Sequence, residues 1–387
     1  MSKTDMLEHQ ADLLANNVRG WEQSVINRIA TRIGKTRKMT IADIKALNNV
    51  AFIKEDMDAI VKDLAKTTKL NVSQVEKMYG DVIAQQHENN RGLYDYRKKK
   101  FVSYSESKEL QSLVQGFAKS TSNTMINLSK IGATHLGFID KYGKFVPISK
   151  FYSDALDKAV MQVSSGAVDF HSAMRDTISA MGGNGLRVNY GGGITRRLDT
   201  AVRQALLWGA KQTSIAYNER ISDELGCDGI EIDWHSFPRP SHEFMQGKQY
   251  ALGKAKKING VLYESAYEAL ERLSDYGCLH FKTPIICGIS EPTYSPQELA
   301  RLDKQNKQIF EIDGKKMTGY EVTQAMRRFE TSVREQKSIR EGARRSGDDE
   351  LVKDCTKRIK LYQAKYDEIC TIANIPPQPQ RMSITRT

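Results

Sequence analysis

Residues 226–250 read GCDGIEIDWHSFPRPSHEFMQGKQY, and residues 275–292 read DYGCLHFKTPIICGISEP. The block they bound holds three of the five cysteines and three of the seven histidines, and it differs in pattern from the segments around it. Ile230-Glu231-Ile232-Asp233-Trp234 alternates as a strand does. Pro238 and Pro240 then break regular structure and deliver Ser241, His242 and Gln246 into a loop or short turn. Between Lys257 and Tyr263, Asn259-Gly260 separates apolar positions, a hairpin signal. A short helix from Ser265 to Tyr276 leads to Gly277-Cys278-Leu279-His280. The block is therefore a small α+β lobe with short strands and long loops.

Outside it the spacing is helical. Leu7, Ala11, Leu14, Val18, Trp21 and Val25 recur at intervals of four and three, continued by Ile29 and Ile33, so the chain opens on an amphipathic helix whose apolar seam wants a partner. That partner is another helix of the same chain or a second copy. Thr40 with Asp43 and the run 55–66 suggest short helices, and Ser73 with Glu76 opens another. Helical spacing resumes at Leu110, Leu113, Val114 and Phe117, while GFIDKYGKFVPIS (137–149) reads as a hairpin around Tyr142-Gly143. Glycines at 182–183, 185 and 191–193 bracket LRVNY without the offsets or the Gly-Lys-Ser/Thr of a phosphate loop, so they serve sharp turns with positive φ. From Thr195 to about Glu224 the pattern predicts one long spine helix of about 45 Å.

Ser295-Pro296-Gln297-Glu298 is an N-terminal cap with Pro at the first helical position. Phe310 to Met317 turns at Asp313-Gly314. Two helices follow, turning at Ser346-Gly347-Asp348-Asp349, and the prolines from 376 end regular structure. The fold class is mostly α with a small α+β lobe. The expected divisions are an N-terminal helical region (1–90), a central helical region with the spine (91–225), the Cys/His-bearing lobe (226–317), a C-terminal helical hairpin (318–375) and an extended tail (376–387) suited to docking on a neighbour.

At 387 residues the chain can bury more than one core, and a net charge of +11 favours a negatively charged partner, most simply nucleic acid. Arg97, Lys98, Lys99 and Lys100 lie among Tyr94, Tyr96 and Phe101, the pairing of cations with aromatic faces that single strands use. The helix after 318 carries a second basic face with Arg327, Arg328, Arg344 and Arg345. Five cysteines form no disulfide framework, and no run approaches the roughly 20 apolar residues of a membrane span, so the expectation is a soluble, reduced protein with no membrane partner.

His242, Cys278 and His280, with His235, Cys287 or Cys227 as a fourth, are the donor types of a tetrahedral zinc site. Cys278-x-His280 does not fit the paired C-x-x-C knuckle, so the reading taken is no cofactor, with zinc as the open alternative. Asp233, His235, Ser241, His242, Glu243 and Cys278 supply acid, base and nucleophile types, but spacing alone joins them into no catalytic set. No catalytic residue is assigned.

An ordered series of motifs carries a resemblance. It runs from Tyr190-Gly191-Gly192-Gly193 and Arg197-Leu198-Asp199-Thr200-Ala201-Val202-Arg203 through His235, Arg239-Pro240-Ser241-His242 and Gln246-Gly247. It continues with Cys278-Leu279-His280 and Gly288-Ile289-Ser290-Glu291-Pro292, and ends with Tyr320, Gln324, Arg327, Arg328, Glu330 and Arg334. In this order the motifs resemble the tailed-phage minor capsid protein family, related to phage head-morphogenesis proteins. Leu279 stands where an arginine is usual, and Phe237 where a small residue is. The resemblance implies a structural, non-enzymatic component of the phage head, made in the host cytoplasm and resident in the virion. Implied partners are the portal, the major capsid protein and packaged DNA. The alternatives are a metal-dependent hydrolase or nuclease carried in the head, using His235, His242, Cys278 and His280, and a basic nucleic-acid-binding module.

Overall fold

A computed structural model describes residues 3–36, 59, 62–63, 72–130, 135–140, 142–151, 153–154, 157, 170–275 and 277–385. The helix expected near Thr40, and most of those over 55–66 and after Tyr152, lie outside the described residues. The helices are α1 (Lys3–Thr36), α2 (Val72–Asn89), α3 (Arg91–Tyr96), α4 (Lys108–Lys130), α5 (Phe170–Asn184), α6 (Leu198–Leu225), α7 (Tyr267–Leu273), α8 (Pro296–Asn306), α9 (Gly319–Ser346) and α10 (Asp349–Ala373). The strands are β1 (Leu136–Ile139), β2 (Phe145–Pro147), β3 (Arg187–Asn189), β4 (Thr195–Arg197), β5 (Gly229–Ile232), β6 (Gln249–Ala251), β7 (Lys256–Ile258), β8 (Val261–Ser265), β9 (Lys282–Ile285), β10 (Ile309–Ile312) and β11 (Lys315–Thr318). The protein is mostly helical, with a small α+β part.

The chain groups into two compact units, each built from separate stretches of sequence. The first comprises Met1–Ala11, Val72–Ser122 and Gln204–Gln324. Its sheet has the order β7-β8-β6-β5-β9, antiparallel except for the β6/β8 pair. Every residue of β5 is buried: it is an inner strand, paired on both sides and covered on both faces. Ile230, Ile232, Met245, Tyr250, Ala269, Leu273 and Cys278 form one core cluster. Ala251, Tyr263, Ile285 and Cys287 form another. The turn at Asn259-Gly260 has both residues at positive φ, as an Asn-Gly hairpin requires. Ser295 caps α8 by accepting the Glu298 N–H at 3.2 Å, and β10 pairs with β11 across Asp313-Gly314.

Within this unit α6 meets α2 and α4 at Gly209. A Cβ there would stand 2.1 Å from Tyr79 Oη and 2.2 Å from Thr121 Oγ1. Glycine is what lets the Tyr79 hydroxyl donate to the Leu206 carbonyl at 2.9 Å, turning a buried phenol into a clasp between helices.

The second unit comprises Asp12–Asn71, Asn123–Arg203 and Ala325–Thr387. Its sheet is fully antiparallel in the order β2-β1-β3-β4. The β1/β2 hairpin is the one legible around Tyr142-Gly143. The spine helix starts at Leu198 and not at Thr195, because residues 195–197 pair with 187–189 as β4. Gly191, Gly192 and Gly193, at φ +83, +60 and +82, close that hairpin, so cross-strand hydrogen bonds take three residues from the helix.

In the same unit α9 and α10 form the C-terminal hairpin. Asp348 caps α10 by accepting the Leu351 N–H at 3.0 Å, and the Tyr366 hydroxyl donates to Glu330 at 3.1 Å. The apolar stripe of α1 is buried along its length, from Leu7 to Ile33. In this unit Gly34 lies against the backbone of Arg345 and Ser346. The chain itself covers the stripe, so pairing of two copies through it is not what hides it. The tail does not run on freely either: Arg381 pairs with Asp12 at 2.6 Å, Lys337 donates to the Met382 carbonyl at 3.0 Å, and Gln378 N–H donates to Tyr366 at 2.8 Å.

Candidate metal centre

The first unit brings His242, Cys278 and His280 together. One nitrogen from each ring and the Cys278 sulfur lie within 4.8 Å of one another, and all three residues are buried. Local chemistry places each. Pro240 starts a 3-10 turn ending at His242, whose fixed proline φ follows the extended Arg239. Cys278 N–H donates to the Asp275 carbonyl at 3.0 Å, which tightens the turn leaving α7. His280 sits just before β9, the edge strand on β5.

Each ring is held from its far side. His242 Nε2 lies 3.0 Å from Asp275 Oδ2, and His280 Nε2 lies 3.1 Å from Gln246 Oε1. Both oxygens accept, so both rings carry a proton on Nε2, which leaves Nδ1 as the nitrogen each neutral ring offers to a ligand. His280 Nδ1 lies 3.7 Å from Cys278 Sγ. Burial, with the neighbouring His235, His242 and Lys211, holds His280 far below the ordinary imidazole range, so it is neutral. His242 moves the other way, raised by its hydrogen bond to Cys278 and by Asp275 against the opposing effect of burial. Burial pushes the Cys278 thiol up, but the His242 hydrogen bond and the Lys211 ammonium outweigh it, and its net shift is downward. Neutral imidazole beside a thiol biased toward thiolate is the state in which both donate to a metal.

His235 does not join the trio. Its ring lies against His280 with centroids 4.2 Å apart and the planes tilted by 35°, and its Nδ1 lies 3.2 Å from the Ser236 carbonyl. Cys287 belongs to the other core cluster, where its N–H donates to Asp228 at 2.8 Å. Asp275 and Lys211 were not singled out from the sequence. Asp275 has a local signal, three residues before Cys278 in one turn, whereas Lys211 sits on α6 with nothing to mark it. Lys211 donates to the Leu273 and Cys278 carbonyls. A cavity of about 200 Å³, lined by Trp208, Lys211, Leu270, Leu273 and Phe281, reaches His280.

The two basic stretches differ in what they touch. Arg97 donates to the Leu225 and Gly226 carbonyls at 2.7 and 2.9 Å, and Lys99 to that of Glu224. These cations meet the last carbonyls of α6, where the helix dipole favours positive charge. Lys98 and Lys100 are exposed. On α9, Arg327, Arg328, Arg344 and Arg345 are exposed, whereas Arg334 is turned inward at 9% exposure.

Arg334 belongs to a buried ion cluster in the second unit. Asp199 accepts from Arg19 at 2.9 Å and has Arg334 at 3.7 Å and Arg197 at 3.8 Å. Asp12 joins Arg203 and Arg381, each at 2.6 Å. The Arg197-to-Arg203 motif and Arg334 are thus internal braces of this unit.

A model of the phage minor capsid protein 2 family matches residues 3–369. The chain belongs to this family. It is a phage minor capsid protein with a structural role, which places it in the virion among other head components. No curated protein and no solved structure matches the chain. Among the described residues no helix is long and apolar enough to cross a membrane.

Proposed function

We propose that this minor capsid protein acts in head assembly, made in the host cytoplasm and built into the particle by contacts with the portal and the major capsid protein. The observation that carries the reading is the family match across residues 3–369. A net charge of +11 and the exposed Arg327, Arg328, Arg344 and Arg345 supply a surface for packaged DNA. The enzyme alternative requires substrate to reach the thiol, and Cys278 and His242 are only 7% and 1% exposed. A role in assembly through side-chain contacts needs no such access. Cross-linking of intact particles followed by peptide mass spectrometry tests the reading. Links from this chain to portal and major capsid peptides are expected. Links to tail components alone would refute it.

A further inference from the structure

We infer that His242, Cys278 and His280 bind one zinc ion, with water in the fourth position, and that the ion braces the small lobe by tying the turn after β5 to the segment entering β9. This goes beyond the assembly role and does not depend on it.

Four independent features converge. The donor set of two imidazoles and one thiolate matches a borderline-soft divalent ion with tetrahedral preference. The spacing also fits, since zinc–sulfur and zinc–nitrogen bonds of about 2.3 and 2.05 Å at a tetrahedral angle put the two donor atoms about 3.6 Å apart. His280 Nδ1 and Cys278 Sγ are 3.7 Å apart. The outer partners are in place as well: Asp275 holds the far nitrogen of His242 and Gln246 that of His280. Such partners fix the tautomer and ring orientation of a metal-ligating histidine. Finally, the thiolate and the outer carboxylate offset the divalent charge, while the neighbouring Lys211 ammonium is held by the Leu273 and Cys278 carbonyls.

A catalytic thiol dyad would use only the Cys278–His242–Asp275 half of this arrangement. It gives no reason for a second imidazole, fixed by Gln246 with its lone pair directed at the same sulfur. A metal ion uses every donor. The mechanical consequence follows from topology: His242 lies in the turn after β5 and Cys278-x-His280 precedes β9, the strand paired with β5, so a shared ion clamps both connections at one end of that pair.

The test uses the full chain, purified without chelator, then stripped and reloaded with Zn²⁺ or Co²⁺. One zinc per chain by elemental analysis is expected. Cobalt should give a thiolate charge-transfer band with the strong visible absorption of tetrahedral Co²⁺. Cys278→Ser should abolish the charge-transfer band, and Asp275→Asn, which removes no ligand, should weaken affinity about 10- to 100-fold. Wild-type protein that stays folded with no zinc and takes up no cobalt would overturn the assignment, whatever the variants do. So would a cobalt spectrum unchanged in both variants.

Discussion

Replacing Asp199 with Asn preserves size but removes the carboxylate that Arg19, Arg197 and Arg334 share, and turns one of its two accepting oxygens into an N–H donor. Asp199 is 1% exposed, and its partners Arg19 and Arg334 are 7% and 9% exposed. Burial alone would raise its carboxyl, but Arg334, Arg19 and Arg197 hold it far below the usual carboxylate range. Arg334 is pushed down to about 10, chiefly by burial, and still carries its charge at neutral pH. Asp199→Asn therefore strands positive charge in the interior, and breaking a buried pair in this way costs about 3–5 kcal/mol. With an m-value of about 2–3 kcal/mol per molar urea, the midpoint for this unit should fall by roughly 1–2 M. Urea titration by circular dichroism reads the shift, with Asp81→Asn as the control. Asp81 pairs with Lys77 at 2.7 Å on an exposed helix face, and its loss should cost under about 0.5 kcal/mol. If Asp199→Asn costs less than about 1 kcal/mol, or no more than the control, the cluster does not brace the unit and the reasoning fails.

Burial, with Asp199 nearby, pushes Glu22 up to about 7. The fold therefore holds a proton that the unfolded chain releases near pH 4.5, so stability falls as pH rises from about 4.5 to 7, by on the order of 3 kcal/mol. Glu22→Gln should remove that decline in thermal melts across this range, and parallel curves for both proteins would count against it. Gly209→Ala should cost about 1–3 kcal/mol through its clash with Tyr79 and Thr121, while Gly116→Ala, with nothing within 4 Å, should stabilise by about 0.5–1 kcal/mol. Equal effects in chemical denaturation would remove the packing argument. Lys99→Ala should destabilise by about 1 kcal/mol, through lost carbonyl contacts at the end of α6, and leave DNA affinity intact. The pair Arg344→Ala with Arg345→Ala should lower the salt dependence of DNA binding by up to about two phosphate contacts. Fluorescence anisotropy over a salt series distinguishes them, and the reverse assignment would be the contrary result.

What the sequence reveals and what it hides follow from the range of the interactions. Asn259-Gly260, Asp313-Gly314 and the Ser295 cap are legible because their chemistry acts within four residues. Residues 195–197 look helical in isolation and become β4 because their partners lie across the glycine turn. The basic run 97–100 suggests nucleic acid, yet Arg97 and Lys99 close the end of a helix more than a hundred residues later, a relation no local pattern carries. The ion cluster draws on Asp12, Arg19, Arg197, Asp199, Arg334 and Arg381, which meet only in the folded unit. At the Cys/His centre, donor types alone mark His242, Cys278 and His280. They do not tell that His235 packs beside the group and Asp275 supports it, since that depends on which face each ring presents.

The central claim is that the molecule is a resident part of the phage head. Quantitative mass spectrometry of purified DNA-filled and empty particles tests it most directly. The account predicts this chain in both, at a fixed low ratio to the major capsid protein. Its absence from both kinds of particle, with the chain found only in the lysate, would contradict it.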